Sequence, residues 1–328
     1  MPSRTDSIID YRQPPKTRHA KGIRRVGFEL EFTGLDLETA GQCLLSALPG
    51  KLSEHNTATQ KIISEDLGEF TVEMDWDYLK KSAGAADSSP QHLQLLRDVV
   101  SPFVPVEVVC PPVPLDRLTA LDPLVKALQQ AGARGTDDSL IAAFGVHINP
   151  ELPALDKELI ENYLRAFALL QWWLVKQHEV DLSRRLTPYI DLYPDAYLKQ
   201  LLSFEAADME TLIDDYLDFN PSRNRALDML PLFSELDAKR VRQRVEDARI
   251  KARPTFHYRL PNCLIGDPDW SLARAWNIWC VVEELAMQPE QIAELSDSFL
   301  SAWRPLLGVD HQAWIDRIDD WVKRCEWV

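Results

Sequence analysis

The chain has 328 residues, of which 36 are Lys or Arg and 51 are Asp or Glu, so its formal net charge is −15. Hydrophobic residues make up 45% and charged residues 27%, a balance that is typical of a folded globular protein and excludes bulk disorder. The negative charge argues against nucleic acid and anionic membrane as partners, because both attract clustered Lys and Arg. An acidic surface of this kind usually serves solubility.

No apolar run reaches the roughly 20 residues of a membrane-spanning helix, and the N-terminus has no signal-peptide core. The five cysteines are scattered and odd in number, so we expect no disulfide framework and a cytoplasmic location. The P-loop, G-x-G-x-x-G, G-x-S-x-G and H-E-x-x-H motifs are missing. A bound nucleotide is therefore held without a P-loop or a Rossmann turn. The sequence leaves the oligomeric state open.

The first half of the chain is predicted to contain most of the strands. Residues 1–22 are polar, basic and Pro-containing, which favours a flexible N-terminal arm before a single catalytic domain at 23–328. Hydrophobic periodicity predicts strands at 23–34, 69–77, 105–110 and 144–149, and helices at 36–48 and 116–133. Residues 80–91, between the second and third predicted strands, are typical of a loop.

The second half is predicted to be mainly helical, with a helical insertion at about 151–250 and a helical C-terminal part at about 270–328. The individual helices are expected at 155–178, 195–203, 208–218, 234–250, 270–286, 289–303 and 311–325. One further strand is expected at 253–260. Strands and helices are mixed without strict βαβ alternation, which predicts an α+β fold with a mainly antiparallel sheet.

Each predicted strand has one apolar face and one polar face, because side chains alternate across a sheet. In VGFELEF (residues 26–32), the four apolar side chains share one face, and Glu29 and Glu31 share the other. The polar faces of the predicted strands carry Glu29, Glu31, Glu73, Asp75, Glu107, His147, Asn149, His257 and Arg259. A face turned to water normally mixes both charges with neutral polar residues, whereas these five carboxylates need a compensating cation.

Carboxylates joined by an imidazole suit a hard divalent ion such as Mg²⁺ or Mn²⁺. Magnesium usually shares its coordination shell with substrate phosphates. Arg259, the single fixed cation assigned to these faces, can neutralise charge on a transferred phosphoryl group. The polar faces therefore predict a metal-dependent enzyme that acts on a phosphorylated substrate, with ATP the obvious candidate.

Five short blocks resemble, in order, the motifs of the putative amidoligase family, whose members are carboxylate–amine ligases related to glutamine synthetase and glutamate–cysteine ligase. The blocks are RVGFELEF (25–32), similar to a G-x-E-x-E strand; TVEMD (71–75), similar to a second acidic strand; VEVVCPP (106–112), similar to E-x-V-S-P; FGVHIN (144–149), similar to G-x-H-x-H; and TFHYRLP (255–261), similar to E-F-R. The resemblance covers roughly residues 23–285.

The resemblance implies a glutamine-synthetase-like fold, in which helices back a mainly antiparallel sheet with an open polar active-site face. It also implies ATP- and Mg²⁺-dependent formation of an amide or peptide bond through an acyl phosphate. The substrates would be a small-molecule or peptide carboxylate and an amine.

The resemblance further assigns roles to particular residues. The expected metal ligands are Glu29, Glu31, Glu107, His147 and His257. Glu73 and Asp75 are expected to support a metal or the incoming amine, and Arg259 is expected to stabilise phosphate charge. Asn149 and Arg223, the latter in the turn at 220–225, are expected to contact the cofactor or a substrate carboxylate.

Four positions depart from the family pattern. Asn149 replaces the second His of G-x-H-x-H, and Asp77 stands where relatives often have Ser. Cys110 replaces the Ser of S-P, and His257 replaces the Glu of E-F-R. We keep His257 as a metal ligand, because a neutral imidazole can still coordinate a metal. Two alternatives stay open: a metal-dependent phosphohydrolase that uses the same face, and a catalytically degenerate member that acts as a binding or assembly protein.

Overall fold

The structure is a computed structural model that describes residues 9–74, 105–136, 144–181, 184 and 190–327. These residues form two compact units. Unit 1 contains the described residues of Met1–Ile9, Val26–His147 and Asn262–Leu272, and unit 2 contains those of Asp10–Arg25, Ile148–Pro261 and Ala273–Val328. The predicted loop at 80–91 and Asp75 lie outside the described residues. None of the described helices is both long enough and apolar enough to cross a membrane.

The strands are β1 (Arg18–His19), β2 (Gly22–Ile23), β3 (Arg25–Phe32), β4 (Gly50–His55), β5 (Thr59–Ser64), β6 (Gly68–Met74), β7 (Val106–Val109), β8 (Val113–Pro114), β9 (Val146–Pro150), β10 (Leu227–Asp228) and β11 (His257–Tyr258). The helices are α1 (Leu37–Ala47), α2 (Asp122–Ala131), α3 (Lys157–Gln177), α4 (Asp195–Ser203), α5 (Met209–Phe219), α6 (Leu230–Arg244), α7 (Leu272–Ala286), α8 (Pro289–Ser301) and α9 (His311–Arg324). A 3₁₀ helix, Leu115–Leu121, leads into α2. The fold is thus mixed α/β with a mostly antiparallel sheet, as expected.

Unit 1 is built on antiparallel strands in the order β3-β7-β6-β5-β4. The predicted alternation in β3 is confirmed, because Val26, Phe28, Leu30 and Phe32 are fully buried whereas the intervening glutamates are half-buried. Helix α1 contacts β5, β6 and α2 and covers the apolar side. At Gly41 in α1 a Cβ atom would lie 1.9 Å from Oε1 of Gln60 in β5, so a larger residue at this position would require the Gln60 side chain to move.

The strands β4 and β5 are not among the predicted elements. Every residue of β4 is exposed, so this edge strand lacks the apolar alternation on which strand prediction depends. Its residues include Lys51 and Glu54, and charges of this kind protect a sheet edge from further pairing. The structure therefore extends the polar face of unit 1 by two strands beyond the sequence expectation.

Unit 2 is mainly helical, as predicted. The long helix α3 is buried over most of its length and contacts α4, α5, α8 and α9. Its helices begin where the sequence places capping residues: the carboxylates of Asp156, Asp208 and Asp310 accept backbone N–H groups of the first turns of α3, α5 and α9. Residues 10–22 of the expected N-terminal arm also lie in unit 2, where the Trp276 indole donates to the Arg12 carbonyl. Whether residues 1–22 are flexible and 23–328 form one catalytic domain stays a prediction.

The strand expected at 253–260 is corrected by the structure, which has only the two-residue β11 there. The backbone N–H of Arg253 donates to Pro231 instead of to a neighbouring strand, whereas that of Phe256 donates to Pro150 at the end of β9. Pro254 and Pro261, which have no N–H, lie on either side of β11 and interrupt the ladder. In unit 2, β11 pairs antiparallel with β10 and with Ile148 of β9.

A buried ion pair lies at the centre of unit 2. The Arg24 guanidinium donates to both carboxylate oxygens of Glu283, at 3.0 and 2.8 Å, and also to the Glu151 carbonyl. Tyr163 and the indole of Trp279 donate to the same carboxylate. Both charged side chains are 1% exposed, so each depends on the other for compensation.

We expect Glu283→Gln to lower the free energy of unfolding by about 3 kcal/mol or more, because it leaves the Arg24 charge buried without its counterion. Urea denaturation of the full chain measures this loss. The matched control is Glu54→Gln, which breaks the exposed ion pair with Lys61 and should lower the free energy of unfolding far less, because solvent and salt screen exposed charges. Equal losses in the two variants would contradict the prediction.

Candidate active site

Three glutamates form one row across the polar face of unit 1. Glu31 of β3 lies directly opposite Glu107 of β7, and Glu107 lies directly opposite Glu73 of β6. All three are half-buried. Side chains that are directly opposite in an antiparallel pair stand about 5 Å apart at Cβ, and like charges at this spacing are destabilising. The row therefore favours the binding of positive charge. We name it the glutamate row.

His147 lies beside the glutamate row and contacts two carboxylates. Its Nδ1 is 2.9 Å from Oε2 of Glu29, and its Nε2 is 3.5 Å from Oε1 of Glu31. The side chain is 10% exposed. Both ring nitrogens of His147 therefore face carboxylate oxygens, an arrangement that favours positive charge at this point of the site.

The side chains of Glu31, Glu107 and His147 offer one ligand atom each within 4.8 Å of one another. Two carboxylate oxygens and one imidazole nitrogen are a donor set suited to Mg²⁺ or Mn²⁺. The structure thus brings the predicted ligands Glu29, Glu31, Glu107 and His147 together on one face of unit 1. Their role as metal ligands stays a prediction.

The surroundings of the glutamate row fix its carboxylates. The backbone N–H of Gly145 donates to Oε2 of Glu31 at 2.9 Å.

Cys110, which stands where the family has Ser, is buried, and its N–H donates to the Phe28 carbonyl. Burial, and then the charge of Glu29, raises the pKa of the Cys110 thiol well above its ordinary value. The thiol therefore stays protonated and is no candidate nucleophile.

Lys61 of β5 corrects the expectation that Arg259 is the single cation among the strand residues. It lies opposite Thr71 on the polar face, and its ammonium is 3.2 Å from Glu54 and 3.8 Å from Glu69. Sequence analysis missed it because β5 was not predicted. The Lys61 charge is thus compensated by Glu54 and Glu69, neither of which belongs to the glutamate row.

A second group of charged residues lies in unit 2. Asp228 of β10 is directly opposite His257 of β11, and its Oδ2 is 3.6 Å from His257 Nδ1 and 3.8 Å from Arg259 Nη2. Arg259 Nη2 is also 3.3 Å from His257 Nδ1. All three side chains are at least nine-tenths buried. We name these three residues, together with the nearby Arg223, Arg249 and Arg253, the arginine group.

Burial raises the pKa of Asp228 to about 6, although Arg259 acts in the opposite direction. Arg223 is half-buried, and burial together with the nearby Arg259 charge lowers its pKa. Asn149 belongs to the same unit, where its Oδ1 accepts a hydrogen bond from Arg253 Nη2 at 2.8 Å. The predicted cofactor residues Arg223, Asn149 and Arg259 thus lie in unit 2, whereas Glu73 lies in unit 1.

Two buried interactions hold β11 in place. The Tyr258 hydroxyl is 2.7 Å from Nε2 of His178, at the end of α3. The Arg184 guanidinium donates to the carbonyls of Arg259, Leu260 and Pro261 at 2.7 to 2.8 Å. These contacts explain how so short a strand can fix the backbone of Arg259.

Sequence analysis did not single out Arg184, Asp228 or Arg253. Asp228 is a carboxylate in a segment that was predicted to lie between helices; its apolar neighbours, ALDMLPLF at 226–233, were the signal of burial that could have singled it out. Arg253 begins the predicted strand 253–260, so its proximity to Asn149 could have been suspected only from strand pairing. Long-range contacts of this kind are not visible in the local pattern.

The fold and the site define a mixed α/β protein with a carboxylate–histidine cluster on the polar face of an antiparallel sheet. The chain belongs to the family described as "Putative amidoligase enzyme", whose family model matches residues 22–281. The resemblance noted in the sequence is thereby confirmed. Searches of curated proteins and of solved structures gave no match.

The pKa of His178 generates a prediction for pH dependence. Burial, and then the charges of Arg184 and Arg274, lowers this pKa from 6.5 to about 3. Between these values the unfolded state binds the proton and the folded state does not, so stability falls as the pH falls below 6.5. Between pH of about 7.5 and 5.5 the wild type should lose about 1 kcal/mol more than His178→Gln in urea denaturation. Identical losses would show that His178 is not held neutral.

Proposed function

We propose that this chain is an ATP- and Mg²⁺-dependent carboxylate–amine ligase that forms an amide or peptide bond through an acyl phosphate. Membership of the amidoligase family supports amide formation. The observation that carries the metal and phosphate chemistry is the glutamate row, closed by His147. We include in the proposal a glutamine-synthetase-like fold, which is supported by the antiparallel strands with their apolar face covered and their polar face acidic.

The residues of unit 1 fit a divalent cation. The three like charges of the glutamate row need compensation, and His147 presents its ring between two carboxylates. In this proposal Glu29, Glu31, Glu107 and His147 would hold Mg²⁺ or Mn²⁺. For His257, which lies in unit 2, the role of metal ligand stays a proposal of its own. Such an ion supplies Lewis-acid neutralisation of phosphate oxygens. Asp75, for which we propose the same supporting role as for Glu73, lies outside the described residues.

The arginine group would serve the anionic part of the substrates. Arg259 is a fixed positive charge on a backbone held by Arg184, and such a preorganised charge stabilises negative charge that develops during phosphoryl transfer. Arg223 would contact a substrate carboxylate, and Asn149 would contact the cofactor. Asp228 keeps Arg259 and His257 in register across the two short strands.

The reaction would proceed in two transfers. A carboxylate oxygen of the acid attacks the γ-phosphorus of ATP, the bond to the β,γ-bridging oxygen breaks, and ADP leaves. The amine nitrogen then attacks the acyl carbon and phosphate leaves with its bonding electron pair. The attacking nitrogen must lose a proton, and Glu73 is the carboxylate that we assign to accept it.

The substrates in this proposal are a small-molecule or peptide carboxylate and an amine, with neither nucleic acid nor membrane as a partner. The net charge of −15 supports the exclusion of polyanionic partners. A cytoplasmic location is part of the same proposal, and it is supported by the five cysteines, all of which are free thiols.

The test begins with a screen of acid and amine pairs for ADP formation by the wild-type protein with ATP and Mg²⁺. With an active pair, Glu31→Gln and Glu107→Gln should each lower metal-dependent ADP formation by roughly 100-fold or more, because each removes a charged ligand. The matched control is Glu69→Gln, on the same face of β6 but outside the glutamate row, which should leave the rate unchanged.

Undiminished turnover in Glu31→Gln and Glu107→Gln would contradict the proposal. Phosphate release that needs neither acid nor amine would identify a phosphohydrolase instead. Failure of the wild type to bind Mg²⁺-ATP in calorimetry, together with a stable partner in pull-downs, would identify a binding or assembly protein.

A further inference from the structure

The Asn149–Arg253 pair gives a chemical meaning to a departure from the family pattern. Asn149 stands where a second histidine is expected, and its amide oxygen accepts from Arg253 Nη2 at 2.8 Å. Asn149 is 7% exposed and Arg253 is half-buried, so this contact is partly protected from water. A neutral amide oxygen orients a guanidinium without adding negative charge to the site. A carboxylate at the same position would orient the guanidinium and also neutralise it.

Three arginines of this group lie near one buried carboxylate, that of Asp228. Arg259 Nη2 is 3.8 Å from Asp228 Oδ2, and the positive charges of Arg223 and Arg253 lie near the same side chain. Beside Arg223 lie Arg249 and Asp247, which are hydrogen-bonded to each other. These four arginines and two aspartates carry a formal charge of plus two. Such a positive centre stands out in a chain whose net charge is −15.

A buried donor in this group also lacks an acceptor. The Nε atom of Arg259 is buried, and the described part of the chain offers it no hydrogen-bond partner. A buried N–H without an acceptor is costly, so native proteins usually pair such groups with protein, water or ligand. An oxygen atom of a bound anion would satisfy it, and would also relieve the crowding of positive charge around Arg223.

We propose that Arg253, together with Arg223 and Arg259, forms an oxyanion-binding site in unit 2, in which Asn149 is the positioning residue for Arg253. The charge of the group matches a ligand moiety with two negative charges, either a phosphoryl group or a pair of carboxylates. This inference deepens the proposed function by naming the charge of the substrate group. Binding of the anion does not depend on turnover, so it can be tested separately.

The test is isothermal titration calorimetry on the full chain with no ATP or divalent metal, using inorganic phosphate and the dicarboxylate succinate as separate probes. We expect at least one probe to bind the wild type. Arg253→Gln should weaken that binding by roughly tenfold, because a charged hydrogen bond to the anion is lost. Asn149→Asp should weaken it by a similar factor, because a carboxylate then neutralises Arg253.

The matched control is Arg244→Gln, which removes the same charge from an exposed ion pair with Asp218 and should change the affinity less than twofold. Circular dichroism confirms that each variant is folded, and the two site variants act at different atoms of the same pair, so one suffices if the other fails to fold. Tighter binding of phosphate assigns the site to a phosphoryl group, and tighter binding of succinate assigns it to a dicarboxylate.

Failure of both probes to bind the wild type, or equal affinity in Arg253→Gln and Arg244→Gln, would overturn the inference. If the anion binds as expected but no acid–amine pair supports ADP formation, the oxyanion site stands and the ligase proposal falls. If ADP formation depends on Glu31 and Glu107 but Arg253→Gln changes neither anion binding nor ADP formation, the ligase proposal stands and the oxyanion site falls.

Discussion

The antiparallel register of β3, β7 and β6 is the constraint on which the chemistry of unit 1 depends. It places Glu31, Glu107 and Glu73 directly opposite one another on one face. A shift of one residue in either pairing would move the apolar side chains out of the core and the glutamates into it. The burial of the apolar face therefore enforces the row of like charges. The energetic cost of that row is offset when a cation binds.

The two units place opposite charges on frameworks of different kinds. In unit 1, paired strands set the spacing of the carboxylates, and helix α1 covers the apolar side. In unit 2, short strands carry Asp228, His257 and Arg259, and their positions depend on buried polar contacts such as the Arg184 guanidinium with three carbonyls. Strand register specifies where the carboxylates stand, whereas individual hydrogen bonds specify where the arginines stand. We expect unit 2 to be the more sensitive to conservative substitutions of buried polar residues.

Period-two alternation was sufficient to predict β3, β6 and β7 and the face on which their glutamates lie, because half-buried strands leave that pattern in the sequence. The helices of unit 2 were predictable from apolar spacing for the same reason. The exposed strand β4 carries no such pattern, and the strand expected at 253–260 is reduced to β11, because Pro254 and Pro261 interrupt the ladder on either side of it. The pairing of Asn149 with Arg253, across 104 positions, depends on tertiary structure alone.

The central claim is that the glutamate row, with His147, holds a divalent cation. The most direct test is crystallography of the full chain with saturating Mn²⁺, using the anomalous scattering of manganese. The account predicts an anomalous peak within roughly 2 to 2.5 Å of oxygens of Glu31 and Glu107 and of a ring nitrogen of His147. Well-ordered carboxylates with no anomalous peak among them would contradict it.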